Sequence, residues 1–198
     1  FGTLTYLMQL SLRENDLTIL PVSFSNLDYV NTLDLSSNKF SDIPVQIYEM
    51  QFLSELNLSF NKIKIIDSSI QKAQSLEKFE IMNNQISQIS DSIGNLTNLS
   101  QIDFYNNFVS EIPSGVYKLQ TLKDLDFSSN NISIINENIG NLTNLEKLNL
   151  NNNSISVIPS GFEKLVNLRF FNIENNNLSE EKIEELKKMI PKSTISYF

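Results

Sequence analysis

The chain has 198 residues, 40% hydrophobic and 19% charged, which is enough to bury one core and too apolar for a disordered segment. Its formal charge of -8, with no basic cluster to reverse it locally, sets it against a nucleic-acid phosphate backbone. With no cysteine and no histidine, it excludes a disulfide framework, thiolate catalysis, a cysteine zinc site and histidine-dependent proton transfer.

The first predicted element is a broken one. "FGTLTYL" at the start aligns with "FSNLDYV" (Phe24 to Val30) and with "IGNLTNL", which occurs at Ile93 to Leu99 and again at Ile139 to Leu145. The two identical copies start 46 residues apart, twice a period of 23. Because Phe1 falls in the middle of a period, the chain is expected to be a monomeric fragment of a longer protein, with further repeats or a cap upstream.

Asparagine marks that period at Asn15, Asn38, Asn61, Asn84, Asn107, Asn130, Asn153 and Asn176, without an insertion or deletion. Around each lies the frame L-x-x-L-x-L-x-x-N-x-L, as in "LSELNLSFNKIKII" (Leu53 to Ile66) and "LEKLNLNNNSISVI" (Leu145 to Ile158). In each L-x-L, alternation of apolar and polar residues predicts a short strand covered on one face. No single period can bury its apolar residues alone, so the strands must stack in parallel around a shared interior. Pro21, Pro44, Pro113 and Pro159 then stiffen the start of the convex side, where Asp67, Ser90 and Asn136 stand in other periods.

This pattern resembles the leucine-rich repeat family, in its 23-residue class, over about nine-tenths of the chain. It is similar to the I-P or L-P subgroup of Ras-group scaffolds, Scribble-like polarity scaffolds and many bacterial and protist proteins. The resemblance implies an α/β fold: a right-handed solenoid with a curved parallel sheet on the concave face, short helical or irregular convex segments, and a carboxyl-terminal capping helix. It also implies a protein-binding module in a larger signalling or scaffold protein, with a small GTPase or a phosphatase among its partners. The eight asparagines are expected to form a structural ladder, because an inward amide needs hydrogen-bond partners and the turns of a solenoid offer them.

The repeats are expected over residues 1–178 and a cap over 179–198. Ser179 heads a helix with Glu180 and Glu181 in its first turn and Lys187 and Lys188 in its last, matching the helix dipole. Ile183, Leu186, Met189 and Ile190 share one face, Pro191 stops the helix, and "STISYF" follows as a final edge strand.

Function must lie in positions the frame leaves free. The column inside each L-x-L contains Asp34, Glu80, Asp103 and Asp126, with Glu55 and Asp124 in the column before it. These make the middle of the concave face acidic and favour a basic protein partner. Phe60, Met82, Tyr105 and Phe108 stand at or just beyond the strand ends, in positions read as solvent-facing, and suit the centre of an interface. The carboxylates match no EF-hand spacing, so no metal and no cofactor are expected.

No phosphate loop, nucleophile elbow or triad is present, and an open sheet excludes little water, so no catalytic residue is assigned. No apolar run is long enough to span a membrane, and the start at Phe1, in mid-repeat, is expected to be uninformative about targeting. A cytoplasmic setting fits the missing cysteine. The alternatives are a regulatory segment of a kinase, phosphatase or GTPase, and a secreted or cell-surface adhesion protein of a microbe, whose sequons would include Asn95-Leu96-Thr97 and Asn141-Leu142-Thr143.

Overall fold

The computed structural model describes Leu4, residues 6–191 and Ile195–Tyr197. The opening of the first period, apart from Leu4, and part of the final "STISYF" lie outside the described residues. In chain order the strands are β1 (Gln9–Ser11), β2 (Thr32–Asp34), β3 (Glu55–Asn57), β4 (Ile65–Ile66), β5 (Lys78–Glu80) and β6 (Gln88–Ile89). They continue with β7 (Gln101–Asp103), β8 (Asp124–Asp126), β9 (Lys147–Asn149), β10 (Phe170–Asn172), then helix α1 (Glu180–Met189) and β11 (Ile195–Tyr197). β1, β2, β3, β5, β7, β8, β9, β10 and β11 form one parallel sheet in that order, and β4 pairs with β6 beside it.

Register follows the period. Leu10 pairs with Leu33, Leu33 with Leu56, Leu56 with Phe79, and the same column runs on through Ile102, Leu125, Leu148 and Phe171. From Leu33 onward this column is buried, while its neighbours along each strand face the concave side. Two residues on, Phe104 and Phe127 stack in the core at 4.8 Å, and Phe79 meets Phe104 edge-on at 6.3 Å. Each such side chain contributes about 1.5–3 kcal/mol of hydrophobic burial.

The asparagine column closes each coil. Asn61 Nδ2 donates to the carbonyls of Leu35 (3.0 Å), Leu58 (3.0 Å) and Ser59 (3.3 Å), and its Oδ1 accepts from Phe40 N (3.0 Å). Asn38, Asn84, Asn107, Asn130, Asn153 and Asn176 repeat that set one coil at a time. Asn15 donates to Leu12 O and Arg13 O of its own coil.

The convex side is a row of 3-10 turns, from Val22–Asn26 to Ser160–Lys164. Where proline is missing, the substitutes cap these turns: Asp67, Ser90 and Asn136 accept from the N–H two residues on. Glycines bring some of the turns together in pairs. A Cβ on Gly94 would lie 2.6 Å from Gly115 O, and one on Gly140 would lie 2.7 Å from Gly161 O. Gly94 and Gly140, which hold the same place in these two pairs, are 46 residues apart and lie in the two copies of "IGNLTNL".

Helix α1 covers the last coil. Ser179 Oγ accepts from Lys182 N at 3.3 Å, and Leu186 and Ile190 are buried. β11 pairs with β10, Phe170 opposite Ile195. Among the described residues, no helix is long and apolar enough to cross a membrane.

Candidate partner-binding surface

The concave carboxylates stand where strand and turn meet. Asp34, Asp103 and Asp126 end β2, β7 and β8, and each accepts from the N–H two residues later: Ser36 at 2.9 Å, Tyr105 at 2.9 Å and Ser128 at 2.7 Å. Asn57, Asn149 and Asn172 make the same turn, at 2.9 Å to Ser59 N, 3.4 Å to Asn151 N and 3.0 Å to Glu174 N. Asp and Asn therefore serve the same turn at six of the positions in this column, and the negative charge of these aspartates is surplus to that structural need.

Two lysines sit in the neighbouring column. Lys78 Nζ lies 2.7 Å from Glu80 Oε1, and Lys147 Nζ lies 3.3 Å from Asp124 Oδ2. Asn57 also donates to Glu80 at 2.8 Å, and Asn149 to Asp126 at 2.8 Å. The six carboxylates Asp34, Glu55, Glu80, Asp103, Asp124 and Asp126 against these two lysines leave the face four charges negative (6 − 2). Among the described residues, no group of three or more acidic residues is arranged to hold a metal ion.

Burial pushes the Asp103 carboxyl up to about 6, against the opposing pull of the Tyr105 N–H; the nearby charges of Asp126, Glu80 and Asp124 push it further up. Its folded value lies above the ordinary 3.8, so the ionised form carries a stability cost that is full above pH 6 and fades as pH falls toward 3.8. Replacing Asp103 with Asn keeps the turn and removes that cost. The variant is expected to be about 1–2 kcal/mol more stable at pH 7, discounted for partial exposure, with the gap closing near pH 4. Urea titrations of both proteins across that range provide the measurement.

Of the aromatic and Met group, three residues form a run. Phe60 N donates to Met82 O at 2.9 Å and Asn83 N to Tyr105 O at 2.9 Å, so Phe60, Met82 and Tyr105 occupy three successive coils at the end of the strands. Phe60 and Tyr105 are exposed and Met82 is half-buried. Phe108, also exposed, lies beyond Asn107 on the far side of the turn, with its N–H on Ile86 O. The column holding Met82 and Tyr105 is not solvent-facing throughout: the short side chains of Ser36, Ser59 and Ser128 in it are buried, while the larger Tyr105 reaches solvent.

Phe60 sits at φ 57°, in a left-handed column otherwise occupied by Glu14, Ser37, Asn83, Asn106, Ser129, Asn152 and Asn175. A bulky apolar residue is unfavourable in that conformation, and an exposed one gains little burial in return. Phe60→Asn is therefore expected to raise stability by about 0.5–1 kcal/mol, or roughly 2 °C in Tm, by thermal denaturation.

A second set of aromatic residues lies at the leading edge of the sheet, nine positions before the asparagine. Tyr6, Tyr29 and Phe52 stack there, with 6.0 Å between consecutive ring centroids. Reading that column in the sequence, where Ser75, Asn98, Thr121, Asn144 and Asn167 follow, gives the signal that finds them.

Several known proteins share this architecture. The family model described as "Leucine-rich repeat region" matches residues 79–193, and the "Leucine Rich Repeat" model matches residues 52–73. No curated protein matches the sequence. Among solved structures, a leucine-rich repeat protein of Leptospira interrogans is 29% identical with a TM-score of 0.96, covering 100% of this chain and 50% of that one. An internalin of Listeria monocytogenes is 28% identical with a TM-score of 0.88, over 100% of this chain and 56% of its own. A plant peptide hormone receptor in complex with RGF2 is 25% identical with a TM-score of 0.72, over 99% of this chain and 36% of its own. The chain thus spans about half the length of the first two structures it matches.

Proposed function

The chain belongs to the leucine-rich repeat family, and on that premise we propose that its concave face binds a basic surface of a partner protein. Such solenoids commonly serve as protein-interaction modules, through the extended concave surface that their curvature creates. The observation that carries the finer reading is the surplus charge at Asp34, Asp103 and Asp126, where Asn serves the fold equally well. Next to these carboxylates, Phe60, Met82 and Tyr105 lie on three successive coils and span two strand spacings, about 10 Å, the size of an interface hot spot. The plant receptor with RGF2 supports a binding role for the architecture.

The partner classes implied by the scaffold subgroups, a small GTPase or a phosphatase, suit this face only where they present lysines or arginines to it. A photo-crosslinking residue at Tyr105, compared with one at the exposed convex Val45, tests the reading in cells of the source. A discrete adduct from position 105 alone is the expected result. An adduct from position 45 alone would place the site on the convex side.

A further inference from the structure

The stacked rings at the leading edge stand outside the apolar core and leave much of their surface exposed. Tyr6, Tyr29 and Phe52 are 86%, 50% and 58% exposed, with interplanar angles of 18° and 3° between neighbours. In the later coils the same position holds a polar side chain that ties one coil to the preceding one. Ser75 Oγ donates to Gln51 O, Asn98 to Gln74 O (3.0 Å), Thr121 to Thr97 O (2.9 Å), Asn144 to Gln120 O (2.8 Å) and Asn167 to Thr143 O (2.8 Å). Phe52 has no donor to offer the equivalent carbonyl, that of Asp28. The coil of Phe52 gives up this structural tie and exposes a ring in its place, stacked on the ring of Tyr29.

The rings have polar company. Asp28, Tyr29, Gln51 and Phe52 line one open cleft of about 330 Å³, so two nearly parallel rings, an acidic residue and an amide residue border it. A guanidinium is the side-chain group that uses all of these at once: it is planar and stacks on an aromatic face, and its fork of N–H donors pairs with carboxylates. The protein's charge of -8 favours a cation. An extended strand also places alternate side chains about 6.6 Å apart, close to the 6.0 Å between ring centroids.

We infer that the Tyr6, Tyr29 and Phe52 edge, with Asp28, docks arginine side chains presented at alternate positions of an extended basic segment. The inference rests on the reading of a basic partner and adds a second footprint outside the concave centre. Lysine, a compact hydrated charge, is discriminated against because it does not stack as a plane.

The probes are the peptide Ac-Arg-Gly-Arg-Gly-Arg-amide and its lysine counterpart, each titrated into ¹³C-labelled protein while the ring signals of Tyr29 and Phe52 are followed. The arginine peptide is expected to bind saturably, about 2–5-fold more tightly than the lysine peptide. Tyr29→Asn with Phe52→Asn, the residue type that later coils carry, is expected to abolish that preference and to leave the Tm unchanged or raised. Asp28→Asn weakens arginine binding, and Val45→Ser on the exposed convex side leaves it as it was. Equal affinity for the two peptides, or an arginine preference that survives the double replacement, would overturn the inference. The concave reading fails independently, by partner capture that is indifferent to Phe60, Met82 and Tyr105.

Discussion

Asn107→Ala is expected to destabilise the protein by about 4 kcal/mol, with two or more buried backbone groups losing partners at about 1–3 kcal/mol each. Asn107 Nδ2 donates to Ile81 O (3.2 Å), Phe104 O (3.1 Å) and Tyr105 O (3.4 Å), while Oδ1 accepts from Ile86 N (3.0 Å). Alanine supplies neither donor nor acceptor, and the Ile86 N–H is left inside the solenoid. Because each coil contacts only its neighbours, the lesion weakens the junction between adjacent coils, and cooperativity should suffer along with stability. Asn15→Ala is the control. Asn15 is exposed and makes two bonds within its own coil, so its loss should be several-fold smaller. Denaturant unfolding followed by circular dichroism, with hydrogen exchange at Ile86, measures both. Equal costs at the two positions would show that the ladder does not act between coils.

Gly115→Ala is expected to cost about 3 kcal/mol, from overpacking alone. Its Cβ would lie 2.1 Å from Asp91 O and 2.8 Å from Asp91 C, which are backbone atoms unable to swing aside as a side-chain tip would. The Gly115 conformation (φ -59°, ψ -37°) suits any residue, so the penalty does not come from the backbone angles. The shift would also disturb the Gly115 N–H bond to Asp91 Oδ1 (3.0 Å), one of the contacts that hold the Asp91 carboxyl below its usual range. Ser92→Ala, at the equivalent position one coil earlier, should be nearly neutral, because that site already accommodates a side chain. Thermal unfolding of the two variants separates the cases, and a neutral Gly115→Ala would mean that the turns do not pair as described.

The solenoid was legible because its physics is periodic. Parallel stacking forces every coil to present the same apolar and asparagine positions, so eight repetitions of a 23-residue frame determine the sheet and its register. The 46-residue recurrence of "IGNLTNL" was visible in the sequence, yet the close approach of its glycine to the next turn was not, since Gly94 and Gly115 meet only after the coils are wound. Likewise the acidic column was plain, while the turn bonds of Asp34, Asp103 and Asp126 needed coordinates, because Asp and Asn read as different charges but serve one geometry. Lys78 and Lys147 temper that column from the adjacent one. Ser36, Ser59 and Ser128 look exposed in a strict alternation and are buried, their short side chains lying below the surface that Tyr105 reaches from the same column. The aromatic edge lies before the strand, outside the columns from which a concave face is read.

The most direct test of a concave partner site is affinity capture from lysate of source cells, using the parent protein beside two variants. One carries Phe60→Ala, Met82→Ala and Tyr105→Ala, and the other carries Val22→Ser and Val45→Ser on the convex side, with captured proteins identified by mass spectrometry. Proteins held by the parent and the convex variant but lost from the concave variant are the predicted result. Identical capture by the parent and the concave variant, with loss from the convex one, would contradict it.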